Sequence, residues 1–352
     1  MRGRHTFRAS LALAAVFTLL AVALARPAAS QVNTLYDVAA LAPLTKDSTS
    51  FVRGINFFGQ VVGCSGYING SDNRAVLWTT LAIQNLGTLP AGDYSAAFGI
   101  NDSGLVVGTS NTATVVRAFR WKSASGMQVL GTLPGDNGSE AIGVNNAGAI
   151  VGTSSGPNGI RAVLWSITGA IQNLGALPGG NYSKAVAINE TGKVVGTSTS
   201  SVGTRAFLWT DSGGMRDLGT LPGHTTSEAV NINNSGQVVG YSSGPSGTRG
   251  FLWTSSGGMR DLGTLPGGNY SRAFGINNAG QVVGTAESSA GTRAFLWTST
   301  SGMLDLNALI PASLGLVLSE AHVINEVGQI AALSGGGHEV EHYYRAFRLT
   351  PP

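Results

Sequence analysis

Residues 261–304 read DLGTLPGGNYSRAFGINNAGQVVGTAESSAGTRAFLWTSTSGML, and the rest of the chain is a set of variations on this stretch. Its tryptophan, Trp297, has counterparts at Trp78, Trp121, Trp165, Trp209 and Trp253, at successive spacings of 43, 44, 44, 44 and 44 residues. A fixed period of this length marks a repeat architecture. Within the unit, two short apolar runs flank Asn277-Asn278-Ala279-Gly280, where Asn first and Gly last suit a type I turn closed by a left-handed residue. Val282-Val283-Gly284, a Ser- and Gly-rich loop, Arg293-Ala294-Phe295-Leu296-Trp297, a second loop and Met303-Leu304-Asp305-Leu306 follow. Each unit therefore carries four short strands, and no helical periodicity appears beyond the first thirty residues.

Alignment on the Asn of that turn gives seven units, at Asn56, Asn101, Asn145, Asn189, Asn233, Asn277 and Asn325. Six residues before each Asn stands a serine (Ser50, Ser95, Ser139, Ser183, Ser227, Ser271, Ser319), and three residues after it a glycine. Seven four-stranded units predict an all-β fold, a seven-bladed β-propeller. Small residues on the first strand, such as Ala97 with Gly99 and Ala273 with Gly275, suit close approach of neighbouring blades. The last unit lacks a fourth strand, and residues 33–41 match the fourth-strand pattern of residues 303–309. The first strand of the array is thus expected to complete the last blade and close the ring, which removes an open edge.

The first thirty residues read differently. Arg2, Arg4 and Arg8 precede an apolar run from Leu11 to Ala25 with small residues after it, the pattern of a secretory signal peptide cut after Ser30. The expected mature chain is residues 31–352, one propeller domain with no membrane span. The leader holds four arginines and no carboxylate, so its removal takes the net charge from +3 to −1. The basic balance is therefore no argument for a nucleic-acid partner. A secreted or extracellular destination is expected, the periplasm included. Cys64, the single cysteine, excludes an intramolecular disulfide and stands where other units carry Thr or Tyr.

Units of the form DLGTLPGG…SxAxxINxxGQVVG…RAFLW resemble the HAF-repeat family of predicted extracellular bacterial proteins, over essentially the whole mature chain. The family's His-Ala-Phe triplet carries arginine here, at Arg74, Arg117, Arg161, Arg205, Arg249, Arg293 and Arg345. The resemblance implies export and repeat architecture, and it brings no activity or active-site residues with it.

Candidate chemistry is sparse. The seven arginines share a strand face with Phe and Trp positions, so each guanidinium is expected to bond carbonyls and pack on aromatic rings as a structural element. A ring of positive charge for an anion is the alternative. The PGGNYS loops between units place Tyr94, Tyr182 and Tyr270, with Asn181 and Asn269, on one face of the ring, where they are candidates to stack on and hydrogen-bond a sugar or peptide. His338-Glu339-Val340-Glu341-His342 matches H-E-x-x-H, but a Gly337-led loop and a strand surround it where zinc proteases need a helix. No metal site, cofactor site or catalytic residue is expected. The chain reads as a binding or interaction module for an extracellular ligand, glycan or protein. A structural envelope component is the alternative, and a carbohydrate-active hydrolase or lyase is weaker still. The last needs paired carboxylates near the axis, where the inner strands are read as offering mainly Ser, Ala, Gly and Ile.

Overall fold

The structure is a computed structural model and describes residues 35–45, 47–66, 73–335 and 344–352. The leader at residues 1–30 and the H-E-x-x-H stretch at 338–342 lie outside the described residues.

Seven four-stranded antiparallel sheets, six of them simple meanders, surround a central channel. Their innermost strands are Thr49–Ile55 (blade 1), Ser95–Ile100 (blade 2), Gly138–Val144 (blade 3), Ser183–Ile188 (blade 4), Thr226–Ile232 (blade 5), Ser271–Ile276 (blade 6) and Leu318–Ile324 (blade 7). The closure expected from the sequence is present: Asp37–Leu41 pairs antiparallel with Arg345–Thr350 as the outer strand of blade 7. Leu41 then packs with Val52 and Trp78 of blade 1 and with Ala331 and Leu333 of blade 7. Two short 3-10 helices, Leu306–Leu309 and Ala312–Leu314, lengthen the connection between blades 6 and 7.

The core lies between blades rather than within them, because each sheet is covered on both faces. Phe207 and Trp209 of blade 4, for example, pack with Val151, Ala162 and Leu174 of blade 3. Burying an aromatic of this kind contributes roughly 2–3 kcal/mol. Every inner strand carries a β-bulge in its second half, which turns the bulged residue toward the channel. In blade 2 close approach depends on the glycine after the bulge: a Cβ on Gly99 would lie 2.9 Å from the Ile142 carbonyl oxygen of the next blade.

The repeated serine and asparagine are the joints. Serine hydroxyls at Ser50, Ser95, Ser139, Ser183, Ser227 and Ser271 accept the third-strand N–H of the preceding blade at 2.8–3.0 Å. Ser319 departs, donating to the Gly335 carbonyl at 2.6 Å. At the other end, each repeat asparagine donates its Nδ2 to the backbone carbonyl of the next one, at 3.0–3.2 Å, and Asn325 returns to Asn56. Seven such bonds form a closed belt around the channel. Each Oδ1 also accepts the N–H four residues on, at 2.8–3.1 Å, which fixes the turn. The turn glycines, Gly104 and Gly280 among them, have φ of 73° and 75°, as a left-handed closing residue requires.

Candidate functional site

The channel has a volume of about 870 Å³ and is lined by the inner strands in layers. Nearest the asparagine belt is a ring of aliphatic side chains, including Ile100, Ile188 and Ile276. Above it the bulged residues line the wall with Phe98, Ile142, Val186, Val230 and Phe274, interrupted by Arg53 and His322. At the far mouth, the residues directly after the repeat serines form a collar: Phe51, Ala96, Glu140, Lys184, Glu228, Arg272 and Glu320. Charge alternates around five consecutive blades of this collar.

Each carboxylate of the collar has a protein donor. Lys184 Nζ lies 3.4 Å from Glu140 Oε2, the Tyr241 hydroxyl donates to Glu228 at 2.8 Å, and His322 Nε2 is 2.8 Å from Glu320 Oε2. The His322 hydrogen bond holds the Glu320 carboxyl below its usual range, with Arg53 and Arg272 adding to the effect against the cost of burial. Burial first, then the Glu228 contact, pushes the Tyr241 phenol well above its usual value. The Arg272 guanidinium sits over the Tyr241 ring at 4.4 Å and over the Tyr270 ring at 5.5 Å, and Phe274 stacks on His322 at 5.3 Å. These aromatic contacts hold the polar groups in place where backbone repetition does not.

The loop tyrosines stand at this same mouth. Tyr94, Tyr182 and Tyr270 are half-buried, and burial raises each phenol. Tyr182 lines a side recess of about 370 Å³ together with Glu140, Lys184 and Ile160. Tyr270 packs against Arg272, while Asn181 and Asn269 project as exposed residues on the loops behind. The structure thus brings the three tyrosines to the collar and leaves the two asparagines outside it.

The repeated arginines serve the frame. Arg74 and Arg161 donate to the loop carbonyls of Asp93 and Asn181 in the following blade, and Arg205 donates to Thr225 at 2.6 Å. Arg205 and Arg293 also face Asp217 and Asp305 at 3.8 and 3.9 Å. Arg117 and Arg249 are half-buried like these four, and Arg345 is exposed. Among the described residues the arginines over tryptophan rings are instead Arg216 on Trp253 and Arg260 on Trp297, at 5.6 and 5.5 Å. A strand face shared with aromatics did not bring the guanidinium onto them, because its length carries it to the next blade's loop.

The inner strands, expected to offer mainly Ser, Ala, Gly and Ile, also carry Glu140, Glu228 and Glu320 at the channel mouth on alternate blades. Their signal was available at the position after each serine. It varies from unit to unit, so alignment of the repeats treats it as noise. Among the described residues, no three His, Cys, Asp or Glu side chains are grouped to hold a metal ion.

Neither a family model nor a curated protein sequence matches this chain. Among solved structures it is similar to virginiamycin B lyase from Staphylococcus aureus, with a TM-score of 0.55 and 15% identity over 90% of this chain and 100% of that one. It is also similar to an oligogalacturonate lyase in complex with manganese, with a TM-score of 0.52 and 10% identity over 90% and 97% of the two chains. A puromycin hydrolase mutant matches at a TM-score of 0.53 and 11% identity over 86% of this chain, which spans only 52% of that enzyme. At such identities the likeness is one of fold, and fold does not carry function.

Proposed function

We propose that this chain is an exported binding module whose ligand sits at the collar end of the channel. One observation carries the reading: seven equivalent inner-strand positions hold Phe, Ala, Glu, Lys, Glu, Arg and Glu, and several are held by aromatic and hydrogen-bonding neighbours at the rim of a large cavity. Packing does not require these charges, since Ala96 fills the same position in blade 2. Concave sites with a few oriented polar groups over apolar walls are the usual form of ligand pockets. Export and kinship with HAF repeats belong to the same proposal and rest on the leader and the repeat motif.

The test is a glycan and peptide array probed with the protein and with a Tyr182→Ala/Lys184→Ala variant. Binding that disappears in the variant supports the collar. Specific binding that persists moves the site elsewhere, and a blank array from folded protein favours a structural envelope role.

A second reading, a hydrolase or lyase, is favoured by one feature alone: His322, paired with Glu320, faces the channel and has the geometry of an oriented general base. Turnover of an array ligand that is abolished by His322→Gln, with binding kept, would establish it.

A further inference from the structure

Resting on that binding-module reading, we infer that the ligand presents a carboxylate to Arg272 and Arg53 and lays an apolar body into the throat beneath them.

The donors and acceptors of the collar do not balance. Glu140, Glu228 and Glu320 are each engaged by Lys184, Tyr241 and His322. Among the described residues, neither Arg272 nor Arg53 has a hydrogen-bond acceptor or a carboxylate within ion-pair distance, and Arg272 Nε is buried without a partner. A buried polar group left unpaired is costly, so an unmatched guanidinium in a pocket marks the place of a missing acceptor. Arg272 is also preset: the Tyr241 and Tyr270 rings, 4.4 and 5.5 Å away, confine its fork and lower the ordering cost of bidentate binding. A planar carboxylate matches that fork.

The rest of the channel fixes the other half of the ligand and its direction. Just below the arginines the wall is Phe98, Ile142, Val186, Val230 and Phe274, which offers hydrocarbon contact and few hydrogen bonds. At the opposite mouth stand Asp102, Glu190 and Glu326, whose carboxylates accept N–H groups of the neighbouring turns. Their negative charge disfavours an anion at that end. At the arginine end Glu320 is already held by His322, with Arg53 and Arg272 adding smaller favourable contributions, so it does not compete as a direct partner of either guanidinium. A small organic acid with an aliphatic or aromatic body satisfies all of these features, its charge up and its body down.

Isothermal titration with hexanoate and 3-phenylpropanoate, each against its neutral amide, tests the inference. The acids should bind, and the amides should bind about tenfold or more weakly, as expected for loss of a charged hydrogen bond. Arg272→Gln should weaken the acids by roughly ten- to a hundredfold. Arg272→Lys, a point charge without the fork, should fall between the two. Arg53→Gln, at an exposed position, guards against a folding defect at Arg272 and should weaken the acids with the melting temperature unchanged. Arg216→Gln, on the outer rim, is the control and should change nothing. Amides that bind as well as the acids, no binding by either acid, or acid affinity unmoved by both Arg272→Gln and Arg53→Gln would overturn the inference. A neutral array ligand that depends on Tyr182 and Lys184 would leave the binding-module reading standing while this one fails. Acids that bind through Arg272 beside a blank array would support both, with the ligand a small acid rather than a glycan or peptide.

Discussion

The two ends of the channel are built by opposite rules. At one end the same asparagine stands in all seven blades, buried, and every copy makes the same bond to its neighbour. At the other end the residue after the serine changes in almost every blade, and its partners change with it. A position repeated seven times in one chain answers a demand made seven times by the ring, which is closure. A position that varies around the same ring answers to something the ring does not impose. Symmetry marks the frame, and broken symmetry marks the proposed site.

The sharpest break of this comparison is at the joint between first and last blades. Asn325→Ala removes a buried bond to the Asn56 carbonyl and leaves the half-buried N–H of Gln329 without its 2.8 Å acceptor. It should cost about 3 kcal/mol, read from denaturant unfolding. Its exposed neighbour Glu326, replaced by Ala, should stay within about 0.5 kcal/mol. Equal losses from the two would dissolve the distinction between belt and rim.

The arginines test whether repetition or location decides, because they lie at the collar end and yet recur in every unit. Arg205→Lys gives up a fork shared between the Thr225 carbonyl and Asp217, and should cost about 1–2 kcal/mol. Arg345→Lys, at the exposed copy, should leave the melting temperature unchanged. If both prove neutral, the arginines belong with the site after all.

Acid offers a finer measure. Glu320 is lowered in the folded state, so the unfolded chain takes up its proton first as pH falls. The stability it contributes is full above the ordinary carboxyl value of 4.5 and is lost as pH drops through the lowered folded value. Wild-type protein should therefore lose stability over Glu320→Gln below that point, and the gap between them at neutral pH should close. Parallel acid limbs would show that His322 does not hold this carboxylate.

The smallest effect is expected at Cys64. Burial pushes its thiol up to about 11, so iodoacetamide at pH 8 should leave it unmodified until the protein unfolds, as read by intact mass. Cys64→Thr, which installs the residue of most other blades, should shift stability by no more than about 0.5 kcal/mol.

What could be read in the sequence follows the same division. The serines, asparagines and turn glycines recur, so blade number, the hairpin turn and the closing strand Asp37–Leu41 were all legible. The belt itself was not, because Asn277 reads as an ordinary turn residue until its neighbour's carbonyl is seen 3.1 Å from its Nδ2. The collar was hidden for the opposite reason. Glu140, Lys184 and Arg272 interrupt the repeat at a single position, and only the radial arrangement of seven strands gathers such departures at one mouth.

Closure by the earliest and latest strands also sets an order of events. Ala346 bonds to Ser50 across 296 residues, and Asn325 bonds to Asn56 across 269. Contacts of such long sequence separation form late and slowly. While the chain is being synthesised, blades can stack one on the next, but the flank of blade 1 around Val52 and Val61 has no neighbour until Ala331 and Leu333 arrive. For that interval the growing protein carries an uncovered apolar face, and its solubility depends on how quickly the final strand follows.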